Sequence, residues 1–266
     1  MAGWEMRMGP VGLRVKALDR LVEFYRDVVG LPVLERVDDR AILGTPTQPL
    51  LVLQAEPSIE PRSQASAGLY HTAFRVPTRA ALGDALPRVE GGLTGASDHG
   101  VSEALYLRDP EGNGIELYHD RPQSEWPHED GSLIIPTNPL NLDALRAEAT
   151  ENNRVPTDTD IGHVHLEVTN LQASVGFYSN TVGMRTRYSV PQAAFLAAGD
   201  YHHHLGLNTW QERTEPRTGA GLDWFSIITD ENPETEMSNQ HDLDDVRDPD
   251  DISIRVASSP TDVLDA

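Results

Sequence analysis

The segment from residue 108 to residue 119 combines a turn with a carboxylate in a strand. Asp109, Pro110 and Gly112 predict the turn, and the run that follows alternates between two faces as a β-strand does. Glu116 then lies inside a strand, where Glu is rare and where a carboxylate facing a closed sheet is penalised unless it meets a cation or a metal. A solvent-facing edge strand is the alternative interpretation of the same pattern.

The composition restricts which metal sites are possible. The 266 residues contain no cysteine, which excludes disulfides, thiolate zinc sites and cysteine nucleophiles. Any metal must therefore be held by nitrogen and oxygen ligands. The length is enough for two modest domains or one large one, with a core that needs no covalent cross-links.

The charge of the chain restricts its partners. Acidic residues outnumber basic residues by 42 to 21, and Lys16 is the only lysine. The net charge of −21 repels nucleic acid and anionic membranes, so neither is an expected partner. There is no apolar run of about 18 residues and no secretory leader, so we expect a soluble, cytoplasmic protein. The near absence of lysine resembles proteins from halophilic organisms and predicts salt-dependent folding.

Hydrophobic periodicity predicts two βαβββ units in the first 119 residues. After a short leader at 1–9, the first unit has a strand at 11–15, a helix at 18–29 and strands at 31–37, 41–43 and 50–54. The second unit has a strand at 71–76, a helix at 78–89 with Asp84 and Arg88 on its outer face, and strands at 104–107 and 114–118.

A linker at 120–160 separates this half from the rest. Prolines and acidic residues accumulate there, one short helix is predicted at 141–149, and Trp126 is expected to pack on a neighbouring domain. The first half then repeats, because Phe177-Tyr178 stands 153 residues after Phe24-Tyr25. The chain is thus a duplicated protein of four units, with domains at 1–119 and 161–256.

The fourth unit is shorter than the others. Arg108-Asp109-Pro110 returns as Arg247-Asp248-Pro249 only after a deletion, and residues 257–266 are expected to form a loose tail. The acidic run that includes this second motif lacks the spacing of a calcium loop, so we interpret it as a solvated face. It comprises Asp242, Asp244, Asp245, Asp248, Asp250 and Asp251.

The segments Phe24 to Leu31, Phe177 to Gly183 and Asp109 to Glu116 resemble the vicinal oxygen chelate superfamily, which includes glyoxalase I, bleomycin-resistance proteins and extradiol dioxygenases. Within it, the segments 163–166 and 201–210 look like two-domain catechol 2,3-dioxygenases. The resemblance implies an α+β fold in which four βαβββ modules form two paired-module half-barrels. It also implies one possible metal ligand on the first strand and one on the last strand of each module.

These ligand positions carry suitable residues only in the two middle modules. The second module offers His71 and Glu116, and the third offers His163, with His165 on the same strand face as a second possibility. Two histidines and a carboxylate are the ligand set of non-haem iron(II) oxygenases. The resemblance therefore implies an Fe(II) site shared between modules two and three, within one chain or between two.

Further residues match the dioxygenase pattern. Tyr106 and His99 stand at the spacings before Glu116 where that family has a tyrosine and a histidine, and one histidine of 202–204, with His203 and His204 preferred, takes the place of its acid/base histidine. A catechol must lose a proton to chelate the metal, and histidine exchanges protons near neutral pH.

The expected function is an iron(II) extradiol dioxygenase that opens the ring of a catechol, with a small aromatic substrate and dioxygen as partners and a homo-oligomer as a further possibility. One alternative is a glyoxalase-type lyase or isomerase that uses nickel, zinc or manganese. Four ligands would favour it, and His71, Glu116, His163 and one histidine of 202–204 could supply them. Another is a metal-free binding protein of the bleomycin-resistance type. Metal content separates the last from the others, and ring cleavage separates the first two.

Overall fold

The computed structural model of the chain describes residues 6–229 and 246–264. Its first unit contains β1 (Met6–Val15), α1 (Leu18–Phe24) with a following π-helical turn (Tyr25–Val29), β2 (Val33–Val37), β3 (Arg40–Thr45) and β4 (Gln48–Ala55). The second contains β5 (Gly68–Arg75), α2 (Arg79–Val89), a 3-10 turn (Glu90–Gly92), β6 (Leu93–Asp98), β7 (Ser102–Arg108) and β8 (Gly114–Asp120).

The connecting segment and the second half follow in the same manner. The connection contains a 3-10 turn (Gln123–Glu125), β9 (His128–Glu129), β10 (Ser132–Leu133), β11 (Asn138–Pro139) and α3 (Leu142–Arg146). The third unit contains β12 (Asp160–Glu167), α4 (Leu171–Asn180), β13 (Arg185–Val190), β14 (Ala193–Ala197) and β15 (Leu205–Asn208). The described part of the fourth contains β16 (Gly221–Thr229), β17 (Val246–Arg247), β18 (Ser253–Ala257) and a 3-10 turn (Asp262–Leu264).

Two large sheets are built by exchange between the two halves of the chain. One sheet has seven strands in the order β17-β18-β16-β1-β4-β3-β2, and the other has nine in the order β11-β6-β7-β8-β5-β12-β15-β14-β13. The joins are the antiparallel pairs β1 with β16 and β5 with β12. Unit one therefore pairs with unit four, and unit two with unit three, within a single chain. We call these the outer-unit sheet and the inner-unit sheet.

A tyrosine–aspartate hydrogen bond ties the helical segment of units one and three to the unit that follows it. Tyr25 donates its hydroxyl hydrogen to Asp109 across 3.1 Å, and Tyr178 donates to Asp248 across 2.9 Å. Asp109 also accepts hydrogen bonds from the backbone of its own turn, and Asp248 does the same in the repeated turn. The repeated Arg-Asp-Pro motif is therefore a buried structural joint, because its carboxylate organises a turn and anchors a helix at once.

The α+β architecture is confirmed, with most predicted strands and the helix of the second unit at the expected places. Two features of the strands differ from the predictions. Residues 6–9 are not a leader but the start of β1, in which Met6 and Met8 are buried against β16. The strand β6 was not predicted, because its polar sequence lacks the apolar alternation on which strand prediction depends.

The connecting segment covers the helix α2 that was expected to have a solvent-facing side. Asp84 is buried and accepts hydrogen bonds from the backbone and hydroxyl of Thr150, while Arg88 donates to the carbonyls of Val29 and Asn152. The prediction of an exposed face was wrong because periodicity within one helix carries no information about a distant segment. Trp126 packs as predicted, with Val101 of the second unit and Tyr201 of the third among its neighbours.

The end of the chain is also packed. The predicted loose tail forms a 3-10 turn in which Val263 is buried beside Trp224, so that prediction was wrong through residue 264. In the acidic run, Asp248 and Asp250 are buried, and Asp250 accepts hydrogen bonds from Thr169, so these two do not form a solvated face. Asp251 is exposed, and the members at 242, 244 and 245 lie outside the described residues.

Candidate metal centre

The side chains of the candidate site lie on neighbouring strands of the inner-unit sheet, at paired positions. His163 is opposite Ala73, Ala73 is opposite Glu116, and Glu116 is opposite Tyr106. His71 precedes Ala73 by two residues and so projects from the same face of β5. The small side chain of Ala73 leaves space at the centre of the row, and the longer side chains on both sides converge above it.

Three of these side chains meet at one point. The Nε2 atoms of His71 and His163 lie 2.9 Å and 3.0 Å from Oε2 of Glu116, and 3.3 Å from each other. All three residues are buried, with at most 5 % of their surface exposed. The interpretation of Glu116 as a solvent-facing edge residue is wrong, because β8 lies between β7 and β5 in the middle of the sheet. Within the described ranges, this is the group of histidine and acidic side chains that could hold a metal ion.

The spacing of the three atoms fits a divalent metal. Neighbouring ligands around an octahedral ion with bonds of about 2.1 Å lie about 3.0 Å apart, since the two distances differ by the square root of two. The three separations of 2.9 to 3.3 Å match that edge length. The donor set leaves the remaining coordination positions free, which is the arrangement of non-haem iron(II) oxygenases.

The protonation states also fit a metal. Burial opposes the charge on Glu116, but His163 and His71 outweigh it and hold the pKa of Glu116 well below its ordinary value. Burial lowers the pKa of His163 to about 4, with Glu116 opposing that shift. At neutral pH the centre therefore offers an ionised carboxylate and a neutral imidazole, and both are the forms that bind metals.

A cavity of about 450 Å³ opens beside the three side chains. Tyr106 and His99 line it together, and they form a directional pair. In the neutral form of His99, Nδ1–H donates to the carbonyl of Pro136 across 2.8 Å, and Nε2 accepts the hydroxyl hydrogen of Tyr106, also across 2.8 Å. Burial and the charge of Glu116 raise the pKa of Tyr106 well above its ordinary value. Tyr106 is thus a neutral phenol whose oxygen lone pairs remain available to a ligand.

The three consecutive histidines occupy three different environments. His203 lines the cavity, and its ring lies 4.1 Å from that of His163. His202 is fully buried behind His203, and a hydrogen bond joins their Nδ1 atoms across 2.7 Å. His204 does not line the cavity; its ring packs beside Tyr201, and burial lowers its pKa to about 3. Of the two preferred acid/base residues, His203 reaches the cavity and His204 does not.

His165 was the second possibility for the ligand on β12, and it occupies a different part of the cavity. Its Nε2 accepts a hydrogen bond from the side-chain amide of Asn208 across 3.1 Å, because that amide nitrogen can only donate. Its ring packs edge-on against Tyr70 and Trp210, whose centroids lie 5.0 Å and 5.3 Å away. A side chain at the opposite Gly206 would overlap this ring, which explains the glycine.

Several cavity residues were missed from the sequence. Tyr70 and Trp210 form an aromatic wall with His165, and Ile135 and Thr137 reach the cavity from the connecting segment. Aromatic side chains flanking histidine-rich strands were a usable signal for Tyr70 and Trp210. No local signal marks Ile135 or Thr137, since they reach the cavity only through the tertiary path of the connection.

Comparison with known proteins places this chain in a family. The sequence profile of the Glyoxalase/Bleomycin resistance protein/Dioxygenase superfamily matches residues 7–117 and 160–255. A catechol-2,3-dioxygenase from Bacillus subtilis is 38% identical over 245 residues, which cover 88% of this chain and 86% of that protein. The chain belongs to this superfamily.

Solved structures of the superfamily share the architecture. Glyoxalase I from Zea mays aligns over 98% of this chain and 95% of its own, with a TM-score of 0.60 and 20% identity. A structure from Bacillus subtilis, described as that of a proposed dioxygenase, aligns over 97% of this chain and 87% of its own, with a TM-score of 0.65 and 14% identity. At these identities the likeness concerns the fold alone. No helix in the described ranges has the length and apolar character needed to cross a bilayer.

Proposed function

We propose that this protein is an iron(II)-dependent extradiol dioxygenase that cleaves the ring of catechol or a small substituted catechol. The observation that carries the proposal is the convergence of His71, Glu116 and His163 on one point beside the cavity. The extensive identity with a catechol-2,3-dioxygenase supports the reaction class. The cavity supports the substrate class, because it combines an aromatic wall with polar groups around one end.

Iron(II) held by these three side chains would supply a template for a catechol and dioxygen and a path for electrons between them. The protein supplies the proton chemistry. Tyr106 donates to His99, so its oxygen can accept a hydrogen bond from a catechol hydroxyl and orient the ring. His203 lines the same cavity, and burial lowers its pKa well below the ordinary value, so it enters the reaction as a neutral base.

The glyoxalase-type alternative is less well supported by the geometry. That alternative needs a fourth protein ligand, and one histidine of 202–204 was the expected source. In the described ranges the converging group contains three residues and does not include His203. A ring-cleaving enzyme needs the open positions that three protein ligands leave, whereas a four-ligand site would fill one of them. The metal-free binding alternative gives no role to a buried carboxylate between two histidines.

The test is anaerobic reconstitution with iron(II), followed by catechol and then air. We expect a yellow ring-fission product from the native protein and none from Glu116→Ala. Tight iron binding without product would redirect the proposal to another oxidation or to the glyoxalase-type reaction. Failure to bind any divalent metal would instead support the binding protein.

A matched set of metals sharpens this test. The same protein is loaded separately with iron(II), manganese(II), nickel(II) and zinc(II), and each sample is assayed for ring cleavage and for isomerisation of a thiohemiacetal. We expect cleavage with iron and none with zinc, because zinc has no redox chemistry. Isomerase activity with nickel or zinc, and no cleavage with iron, would contradict the proposal.

A further inference from the structure

A chain of hydrogen bonds runs behind the cavity wall from His203 towards the end of β8. His202 is fully buried at its centre. Its Nδ1 lies 2.7 Å from Nδ1 of His203, and its Nε2 lies 2.7 Å from Oδ1 of Asp120. His203 is therefore linked through one imidazole to a carboxylate that does not itself reach the cavity.

Asp120 is held in place by further donors. Its second oxygen, Oδ2, accepts a hydrogen bond from the Tyr201 hydroxyl across 2.8 Å and another from the guanidinium of Arg75 across 3.1 Å. Burial opposes the charge on this carboxyl group, but His202, Arg75 and Tyr201 outweigh it and lower the pKa of Asp120 below the ordinary value. Asp120 is thus an ionised acceptor with both oxygens in use.

The order of donors along this chain follows from elementary chemistry. A carboxylate only accepts, so Nε2 of His202 carries the hydrogen that is donated to Asp120. In the neutral form of His202, which has one N–H, Nδ1 accepts a hydrogen bond from Nδ1–H of His203. The other nitrogen of His203, Nε2, is then left without a hydrogen. In residues 6–229 and 246–264 no hydrogen-bond partner is found for that atom, and the residue lines the cavity.

We propose that Asp120 and His202 are positioning residues that set the tautomer of His203 and present its unprotonated Nε2 to the substrate cavity. The catalytic consequence rests on the proposed dioxygenase function, whereas the tautomer itself does not. The ring of His203 is held on its other side by Phe195, with centroids 5.0 Å apart, so both its plane and its hydrogen-bonding edge are defined. A base prepared in this way needs no rearrangement before it accepts a substrate proton.

Asp120→Asn is the decisive variant. Arg75 and Tyr201 both donate to the Oδ2 position, so the amide oxygen of the variant should occupy that place and its NH₂ should face His202. His202 Nε2 would then accept, His202 Nδ1–H would donate to His203, and the hydrogen of His203 would move to Nε2. One substitution should therefore reverse two tautomers.

Asp160→Asn is the matched control. Asp160 binds the same guanidinium of Arg75 across 2.6 Å and 3.0 Å, but it makes no hydrogen bond to His202 or His203. Asp160→Asn makes the same change of charge and shape as Asp120→Asn. We expect Asp160→Asn to leave both tautomers as they are in the native protein.

The readout is the set of imidazole ¹⁵N chemical shifts of the full-length protein, metal-free and loaded with diamagnetic zinc(II). His203 is assigned by its loss in His203→Gln. We expect Nδ1–H in the native protein and Nε2–H in Asp120→Asn. Observation of Nε2–H on His203 in the native protein would overturn the inference, and that measurement does not depend on whether a variant folds. An unchanged tautomer in a folded Asp120→Asn would overturn it as well.

Turnover separates this inference from the proposed function. In the iron(II)-loaded enzyme, Asp120→Asn should lower kcat for catechol about 100-fold with KM changed by less than about threefold, because the base is lost and the binding groups remain. A reversed tautomer with normal kcat would overturn the positioning role. If the native protein shows the expected tautomer and cleaves no catechol, the proposed function fails and the tautomer assignment stands.

Discussion

The two sheets are built from the same repeated unit, and they treat the same positions in opposite ways. In the inner-unit sheet, His71 and Glu116 face a cavity. In the outer-unit sheet, the corresponding positions hold Trp224 and Arg255, and the Arg255 guanidinium lies 4.1 Å from the centre of the Trp224 ring. A cation stacked on an aromatic face thus replaces a carboxylate between two histidines.

Side-chain size and cover explain why only one of these faces is open. Trp224 is opposite Gly12, and its ring occupies the space that a side chain at residue 12 would need. The terminal 3-10 turn then closes the face, since Val263 is buried and its carbonyl accepts a hydrogen bond from Arg255. The inner-unit sheet is bordered instead by the connecting segment, which lines the cavity without filling it. The same fold therefore forms an open cavity or a filled, packed face, depending on the side chains at these positions.

The largest expected effect distinguishes the two faces by metal binding. Glu116→Gln removes the charge between His71 and His163, and we expect metal affinity to fall more than about 100-fold and ring cleavage to disappear. Arg255→Gln, at the corresponding position of the other sheet, should leave metal content and activity unchanged. Metal analysis after dialysis measures both variants. Equal metal loss from both would show that the comparison between the faces is wrong.

A substitution in the filled face of the outer-unit sheet should lower stability and leave metal binding unchanged. Trp224→Ala removes a buried ring from beneath Arg255 and should lower the free energy of unfolding by about 3–5 kcal/mol, as large-to-small core substitutions do. Denaturant unfolding measures the loss, and metal titration of the folded variant should match the native protein. A loss below about 1 kcal/mol would mean that the Trp224 ring contributes little packing energy.

The tyrosine–aspartate joints should behave alike in both halves. Tyr25→Phe and Tyr178→Phe each remove one hydrogen bond to a buried carboxylate, and each should cost about 1–3 kcal/mol at neutral pH. The pair lies in different turns, so the two losses should add in the double variant. A loss confined to one variant would show that the two repeats do not use this joint equally.

The second joint should also depend on pH. Burial raises the pKa of Asp248 to about 6, and the Tyr178 hydroxyl opposes that shift by stabilising the ionised form. Because the pKa is raised in the folded state, Asp248 contributes stability at pH values below its pKa in the unfolded chain. That contribution is lost as the pH rises through about 6. The cost of Tyr178→Phe should therefore be larger at about pH 8 than at about pH 4.5. Equal costs at both pH values would contradict this assignment.

Salt should affect the stability of the whole protein and should not distinguish the two sheets. The net charge of −21 belongs to the whole surface, so molar KCl should raise the thermal midpoint by screening repulsion. Glu116→Gln and Trp224→Ala should show the same salt dependence as the native protein, because neither changes the bulk of that charge. Equal stability in low and high salt would count against the prediction from composition.

From the sequence alone we predicted the repeated units, a ligand set of nitrogen and oxygen atoms, and a cation or metal beside Glu116. The strands and the repeats agree with the structure because alternation and repetition are local properties that packing does not erase, whereas the metal ligands stay a prediction. The proximity of His71, Glu116 and His163 could also be expected, but only through the resemblance to a family, since no local rule states which units share a sheet.

Tertiary structure alone decided the remaining features. The burial of Asp84 and Val263, the choice of His203 over His204 and the bond from His202 to Asp120 all depend on segments far apart in the chain. Strand alternation gives the face of a residue, and it does not give the segment that later covers that face. The two sheets therefore differ because of long-range packing. In the outer-unit sheet, the Trp224 ring and the terminal turn occupy the space that the inner-unit sheet leaves open as a cavity.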